Sequence, residues 1–171
     1  MNRTGFAFLL LAFALPTFAG VTSPAGISDA LRPSADEEPA FVLNATGVQV
    51  YTCKEKGAYQ YGWTFVAPEA SLAESGKAVG RHFAGPTWEA SDGSSVKGTL
   101  RQKQDGGAGN IPWLNLAATS SGQGRFAGIT TVLRVATKGG VEPATGCDGS
   151  SVNSEARVPY TADYYFYRKK A

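Results

Sequence analysis

Val158-Pro159-Tyr160-Thr161-Ala162-Asp163-Tyr164-Tyr165-Phe166-Tyr167-Arg168 ends in the basic tail of the chain and carries its clearest structural signal. Tyr160, Ala162, Tyr164 and Phe166 share one side of an extended strand. Thr161, Asp163, Tyr165 and Tyr167 share the other, because successive side chains of a strand point to opposite faces. Phe126 to Ala136 repeats the alternation, with Ile129, Thr131, Leu133 and Val135 on one face and Arg134 opposite. Val48–Cys53 and Tyr61–Val66 alternate as well, and their spacing predicts a hairpin. Pro68 reads as the end of the second of these strands. Ala70–Ala73 and Ala78–Phe83 read as two weaker strands about the turn Glu74-Ser75-Gly76-Lys77. Asp92-Gly93, between Thr87–Ala90 and Ser95–Leu100, signals a type I′ hairpin. Ile111–Ser120 is a further strand, and Lys103–Asn110 and Thr137–Asn153 are glycine-rich loops. About nine short strands and almost no 3.6-residue period make the fold all-β, an antiparallel β-sandwich or a partly closed β-barrel with long glycine-rich loops.

The ends of the chain place it in a compartment. Asn2-Arg3, the apolar run Phe6–Leu15, the break at Pro16 and the small residues Thr17 and Ala19 have the form of a cleaved signal peptide over residues 1–19. Residues 20–39, with Pro24, Pro33, Pro39 and the acidic cluster Asp36-Glu37-Glu38, read as a flexible linker. A single β-domain is expected over 40–168, with a short basic tail at 169–171. The location expected from this layout is exported, periplasmic or secreted. Two cysteines, Cys53 and Cys147, form an even count in an exported chain and are expected to pair. Without Arg3 the chain carries fifteen basic and fourteen acidic side chains. That balance offers no basic stripe for nucleic acid and no polybasic patch for a membrane surface. No nucleic-acid partner and no stable membrane insertion are therefore expected.

Several segments together resemble a known family. These are Ala45-Thr46-Gly47-Val48-Gln49-Val50-Tyr51-Thr52-Cys53, Tyr61-Gly62-Trp63, Phe65-Val66-Ala67-Pro68-Glu69-Ala70, His82-Phe83-Ala84-Gly85-Pro86-Thr87-Trp88-Glu89, Ile111-Pro112-Trp113-Leu114, Gly146-Cys147-Asp148 and the closing tyrosine strand. The chain resembles, from Phe41 to Arg168, domain of unknown function 3455, a family of exported bacterial and fungal proteins. The resemblance implies one exported domain with paired cysteines and brings no activity with it. Some fungal members bear a malate dehydrogenase label. This sequence has no Gly-x-Gly-x-x-Gly after a strand and no βαβ pattern, so a dinucleotide-binding fold is not expected.

Candidate chemistry centres on Gly80–Gly98. It holds the single histidine, His82, with Trp88, Glu89 and Asp92. An imidazole beside a carboxylate suits general acid–base work. Its convergence requires that the Asp92-Gly93 hairpin bring Glu89 or Asp92 to His82. A single histidine falls short of a usual zinc site, so no metal and no cofactor are expected. Asp163, paired with Glu89 or Asp148, would give the two carboxylates of a glycoside hydrolase if their spacing allowed. Trp88 and Tyr165 are the aromatic candidates for stacking on a ligand, whereas Trp63 and Trp113, set in apolar runs, read as core. The ligand-binding candidates are thus His82, Trp88, Glu89, Asp163 and Tyr165. The expected function is a non-enzymatic module binding a glycan or small molecule of the cell envelope or its surroundings. The alternatives are a small hydrolase with a His/carboxylate pair, and a structural envelope protein with a protein partner.

Overall fold

The alternating segments become eight strands: β1 (Glu37–Gly57), β2 (Gln60–Glu74), β3 (Lys77–Phe83), β4 (Thr87–Ala90), β5 (Ser95–Gln104), β6 (Trp113–Ser121), β7 (Ile129–Gly139) and β8 (Glu155–Lys169). The computed structural model describes residues 21–171, and the segment read as a signal peptide lies outside them. Each strand pairs antiparallel with the next, and β1 pairs with β8, so the sheet closes as a barrel in chain order. Of the two architectures open at the sequence level, the barrel is the one observed. Closure gives every strand two neighbours and so limits the free edges that an open sheet must protect. Among the described residues the one helical element is a 3-10 turn at Asp29–Leu31, and no helix is long and apolar enough to cross a membrane. Among the described residues there is no βαβ unit for a dinucleotide fold.

Two sequence expectations differ in detail. Pro68 does not end a strand: β2 runs through it, and Pro68 lies opposite Gln49 of β1. The ladder to β3 begins only at Ala70, so the missing N–H of Pro68 falls where no neighbouring strand needs it. Tyr61–Val66 and Ala70–Ala73 are therefore one strand, and eight strands replace nine. The Asp92-Gly93 hairpin forms as expected between β4 and β5, but with a three-residue loop. Gly93 N–H donates to the Ala90 carbonyl and Ala90 N–H to the Ser94 carbonyl. Of the loop residues only Gly93 takes a positive φ, 82°. That is a type I turn closed by one left-handed residue, the common three-residue alternative to type I′.

The inward rows build the core inside the lumen. Leu43 and Ala45 of β1, Leu72 of β2, Val96 of β5, Leu116 of β6 and Val132 of β7 meet the β8 row Tyr160, Ala162, Tyr164 and Phe166. Phe126, on the β6–β7 connection, stacks into the same core against Phe41 and Phe166. The β8 alternation is as its sequence indicates. In β7 a register shift lies between Ile129 and Thr131. It returns Ile129 to the lumen while Leu133 and Val135 face outward.

That outward apolar face is covered. Leu133, Val135 and Tyr167 form a second cluster with Ile27, Trp113 and Tyr165. Leu31 is fully buried, the Asn115 side-chain amide donates to the Leu31 carbonyl at 3.0 Å, and Tyr167 hydroxyl donates to Ser23 Oγ at 3.1 Å. Order thus reaches into the segment read as a linker, and β1 begins at Glu37. The sequence offers one buried anchor there, Leu31, where composition shows mainly proline and polar groups. Replacing it tests the attachment: Leu31→Ala is expected to cost about 2 kcal/mol. A urea midpoint unchanged within error would mean that the segment is not held against the barrel.

Candidate ligand cavity in the barrel

The core does not fill the lumen. A cavity of about 280 Å³ opens between β2, the β3–β4 turn and the residues leading into β6. The absence of a β3 partner along residues 60–69 leaves that side of β2 free, and a β-bulge there sets Tyr51 opposite Phe65 and Val50 opposite Ala67. The extra residue is Val66. Such bulges re-aim side chains at barrel rims, and both Phe65 and Val66 line the opening, 51% and 55% exposed.

The floor is aromatic. His82 of β3 lies opposite Trp88 of β4 in the ladder, and their rings stack at 4.5 Å with an 8° tilt. Tyr164 meets both edge-on, at 5.0 and 5.2 Å. Gly98 of β5 makes the space for Trp88. A Cβ there would stand 3.0 Å from both the Trp88 ring and Leu116, closer than carbon atoms pack.

The polar groups of the wall are few and mostly donors. His82 Nδ1 lies 2.9 Å from the Thr87 carbonyl, so Nδ1 carries the proton and Nε2 is an acceptor. Burial, only partly offset by that carbonyl and reinforced by the charge of Arg134, lowers the His82 pKa to about 3. The imidazole is therefore neutral at physiological pH. Trp88 Nε1, Gln49 Nε2 and Tyr164 hydroxyl are buried without a hydrogen-bond partner, and all three residues line the cavity. The Tyr160 hydroxyl is unpartnered too. It lies near enough to Tyr164 to affect its titration, though without hydrogen-bond geometry. Burial raises the pKa of Tyr164, so its hydroxyl stays protonated. Arg134 of β7 lies opposite Tyr164 of β8 and Leu114 of β6. Its Nε and Nη2 donate to the Pro112 carbonyl at 3.0 and 2.8 Å.

The residues singled out in the sequence are divided by the sheet. His82 and Trp88 are 3% and 1% exposed and belong to the cavity. Glu89 does not join them. It follows Trp88 by one residue and so points to the outer face, where Arg81 holds it in an ion pair at 2.8 Å. Asp92 is spent on its turn, accepting from Ser94 and Arg125 N–H. The His/carboxylate convergence fails on this parity: the turn between β3 and β4 brings Trp88, not Glu89, to His82. Asp163 lies between the inward Ala162 and Tyr164 and accepts a hydrogen bond from Asn44 at 2.8 Å. Asp148 caps a local turn with Ser150 and Ser151. Neither completes a pair with Glu89. Tyr165 packs in the outer cluster. Trp63 donates to the Thr145 carbonyl and Trp113 joins the outer cluster, so Trp88 is the tryptophan of the lumen. Among the described residues no group of three or more His, Cys, Asp or Glu side chains is placed to hold a metal ion.

The disulfide forms as expected between Cys53 at the end of β1 and Cys147 in the β7–β8 loop. The match that bears on identity covers this whole frame. Over residues 33–168 the sequence matches the family described as protein of unknown function (DUF3455). The chain belongs to that family. No curated protein and no solved structure matches it. In this DUF3455 chain the cavity residues that sequence reasoning missed are Gln49 and Arg134. Both are polar residues on inward rows. The signal for Gln49 is its place in the odd-numbered row Ala45, Gly47, Gln49, Tyr51. For Arg134 it is the apolar length of β7 on either side.

Proposed function

We propose that this DUF3455 protein is an exported binding module that takes a small, largely apolar organic molecule into its barrel. The observation that carries the reading is the cavity itself. It combines an aromatic floor with buried donors that have no partner within the protein. Buried polar groups are ordinarily satisfied, and an exception asks for a ligand or water. A volume of about 280 Å³ stands at the small end of the usual ~300–1,000 Å³ ligand pockets. Apolar walls and enclosed rings favour a small molecule over a glycan, which would need aromatic faces open to solvent. The hydrolase alternative lacks its carboxylate, since Glu89 and Asp92 are engaged on the outer side. Export is supported by the Cys53–Cys147 bond, which persists in oxidising compartments.

The test is a thermal-shift panel of neutral apolar compounds, such as indole, naphthalene and 1-octanol, alongside soluble glycans. A ligand at ~100 times its dissociation constant adds about 2.7 kcal/mol. A shift is expected for at least one apolar compound, and it is expected to vanish in Leu114→Trp, which fills the mouth. Shifts only with glycans, or shifts that survive the filled mouth, would remove the cavity from consideration.

A further inference from the structure

We infer that the molecule taken up is a carboxylic acid, bound with its carboxylate at Arg134 and its apolar body over Trp88 and His82. This rests on the proposed function and adds the chemistry of the ligand's head. The argument is one of unmatched donors. Arg134 lines the cavity, yet among the described residues it makes no ion pair. The acidic side chains near the barrel are engaged elsewhere: Glu89 with Arg81, Glu74 with Arg125 and Glu69 with Arg157. Glu142 acts on Tyr51 at the rim and forms no ion pair with Arg134. The guanidinium is held by neutral groups alone, the Pro112 carbonyl through Nε and Nη2 and the adjoining Tyr164 hydroxyl. Its remaining N–H groups have no partner of opposite charge. A guanidinium at the edge of an apolar site, with no carboxylate of the protein paired to it, is open to an outside anion.

The neighbouring groups have the same polarity. Tyr164 is the cross-strand partner of Arg134 and offers a protonated hydroxyl. Trp88 Nε1 and Gln49 Nε2 are also donors without acceptors. Against these the wall presents His82 Nε2 as an acceptor. A neutral alcohol or amine would leave the Arg134 charge unmatched, whereas a carboxylate brings two oxygens with about four lone-pair sites. Charge-assisted hydrogen bonds are the stronger kind, and arginine is suited to planar carboxylates. The walls select an organic acid over an inorganic anion, because Phe65, Val66, Ile111 and Leu116 supply no polar atom to a second charge.

The experiment is calorimetric titration of the intact protein at pH 7 with benzoate, 3-phenylpropanoate and octanoate. Each is compared with the alcohol and the primary amide of the same skeleton. At least one acid is expected to bind about tenfold or more tightly than both neutral counterparts. Arg134→Gln is expected to bring its affinity down to that of the alcohol while the alcohol is unaffected. The comparison of ligands on the unaltered protein stands even if that variant folds poorly. Equal affinity for acid, alcohol and amide, or binding of the neutral compounds alone, would overturn the carboxylate and leave the apolar cavity intact. No binding of any of the nine compounds, together with no response to the neutral panel above, would overturn both.

Discussion

Removal of the Cys53–Cys147 bond, by Cys53→Ser with Cys147→Ser, is expected to lower the stability of the barrel by about 4–5 kcal/mol. The bond spans 94 residues, so its loss frees most of the unfolded chain from a long closed loop. In the chain-entropy account that freedom scales with the logarithm of loop length. The native contacts around the bridge change little, because the backbone already ties these segments together. Cys53 N–H donates to the Ser154 carbonyl, and Asn153 N–H returns to the Cys53 carbonyl, both at 2.9 Å. Trp63 Nε1 holds the Thr145 carbonyl at 3.0 Å. The effect therefore lies in the unfolded state, and the folded variant is expected to keep its far-ultraviolet spectrum. Urea unfolding at pH 7 measures the difference. A loss under about 1 kcal/mol would mean that the unfolded chain keeps Cys53 and Cys147 close without the bond. The bridge also bounds the loop that leaves β7 at Gly140, whose carbonyl accepts from the Tyr51 hydroxyl at 2.6 Å beside the cavity. Ligand affinity is expected to fall less than stability, since that hydrogen bond does not depend on the bridge.

Strands were legible where one period governed a whole segment. The β8 row from Tyr160 to Phe166 reads directly from residue types because its ladder to β1 runs unbroken over that stretch. β7 does not, since a register shift beside Ile129 reverses which side of the strand faces the lumen. The same kind of event hid the mouth of the cavity. Val66 is an extra residue in β2, and no property of the pair Phe65-Val66 announces that one of them is unpaired. The joining of His82 to Trp88 was half legible. The turn Ala84-Gly85-Pro86 makes β3 and β4 neighbours, but the register it sets decides whether Trp88 or Glu89 faces the histidine. A one-residue difference in loop length exchanges the two. Barrel closure by β1 and β8 was beyond local pattern altogether. It depends on long-range pairing such as Asn44 with Asp163. The covering of the outer β7 face by Leu31 is of the same kind, with one apolar anchor in a segment of linker-like composition.

Acidification from pH 7 is expected to destabilise the protein through His82 before any carboxylate takes part. In the unfolded chain the imidazole gains a proton near its ordinary pKa of 6.5, whereas in the folded protein it stays neutral down to about 3. Below 6.5 the unfolded state thus binds one more proton than the folded state, and stability falls with pH at about 1.4 kcal/mol per unit. The stabilisation is fully present above 6.5, is down by about 2 kcal/mol at pH 5, and is lost by about 4–5 kcal/mol as pH passes through the folded value. The chain has one histidine, so no other imidazole shares this window. Asp36 and Asp92, lowered to about 2 by their Lys169 and Ser94 partners, and Glu69, Glu74 and Asp148, lowered by Arg157, Arg125 and Ser150, add acid sensitivity mainly as pH falls into the ordinary carboxylate range. The slope between pH 6.5 and 5 therefore reports His82. Urea unfolding of the wild type at pH 7.5, 6, 5.5 and 5 should show it, and His82→Gln, which keeps a donor for the Thr87 carbonyl, should flatten it. Equal wild-type stability at pH 7.5 and 5 would mean that water reaches the imidazole in the folded barrel, and that the floor of the cavity is wet. A slope that survives in His82→Gln would place the proton on another group. With the slope present and abolished by the substitution, the cavity floor is a dry aromatic surface with a neutral ring. That is the environment in which the charge of Arg134 has the greatest effect on what the barrel admits.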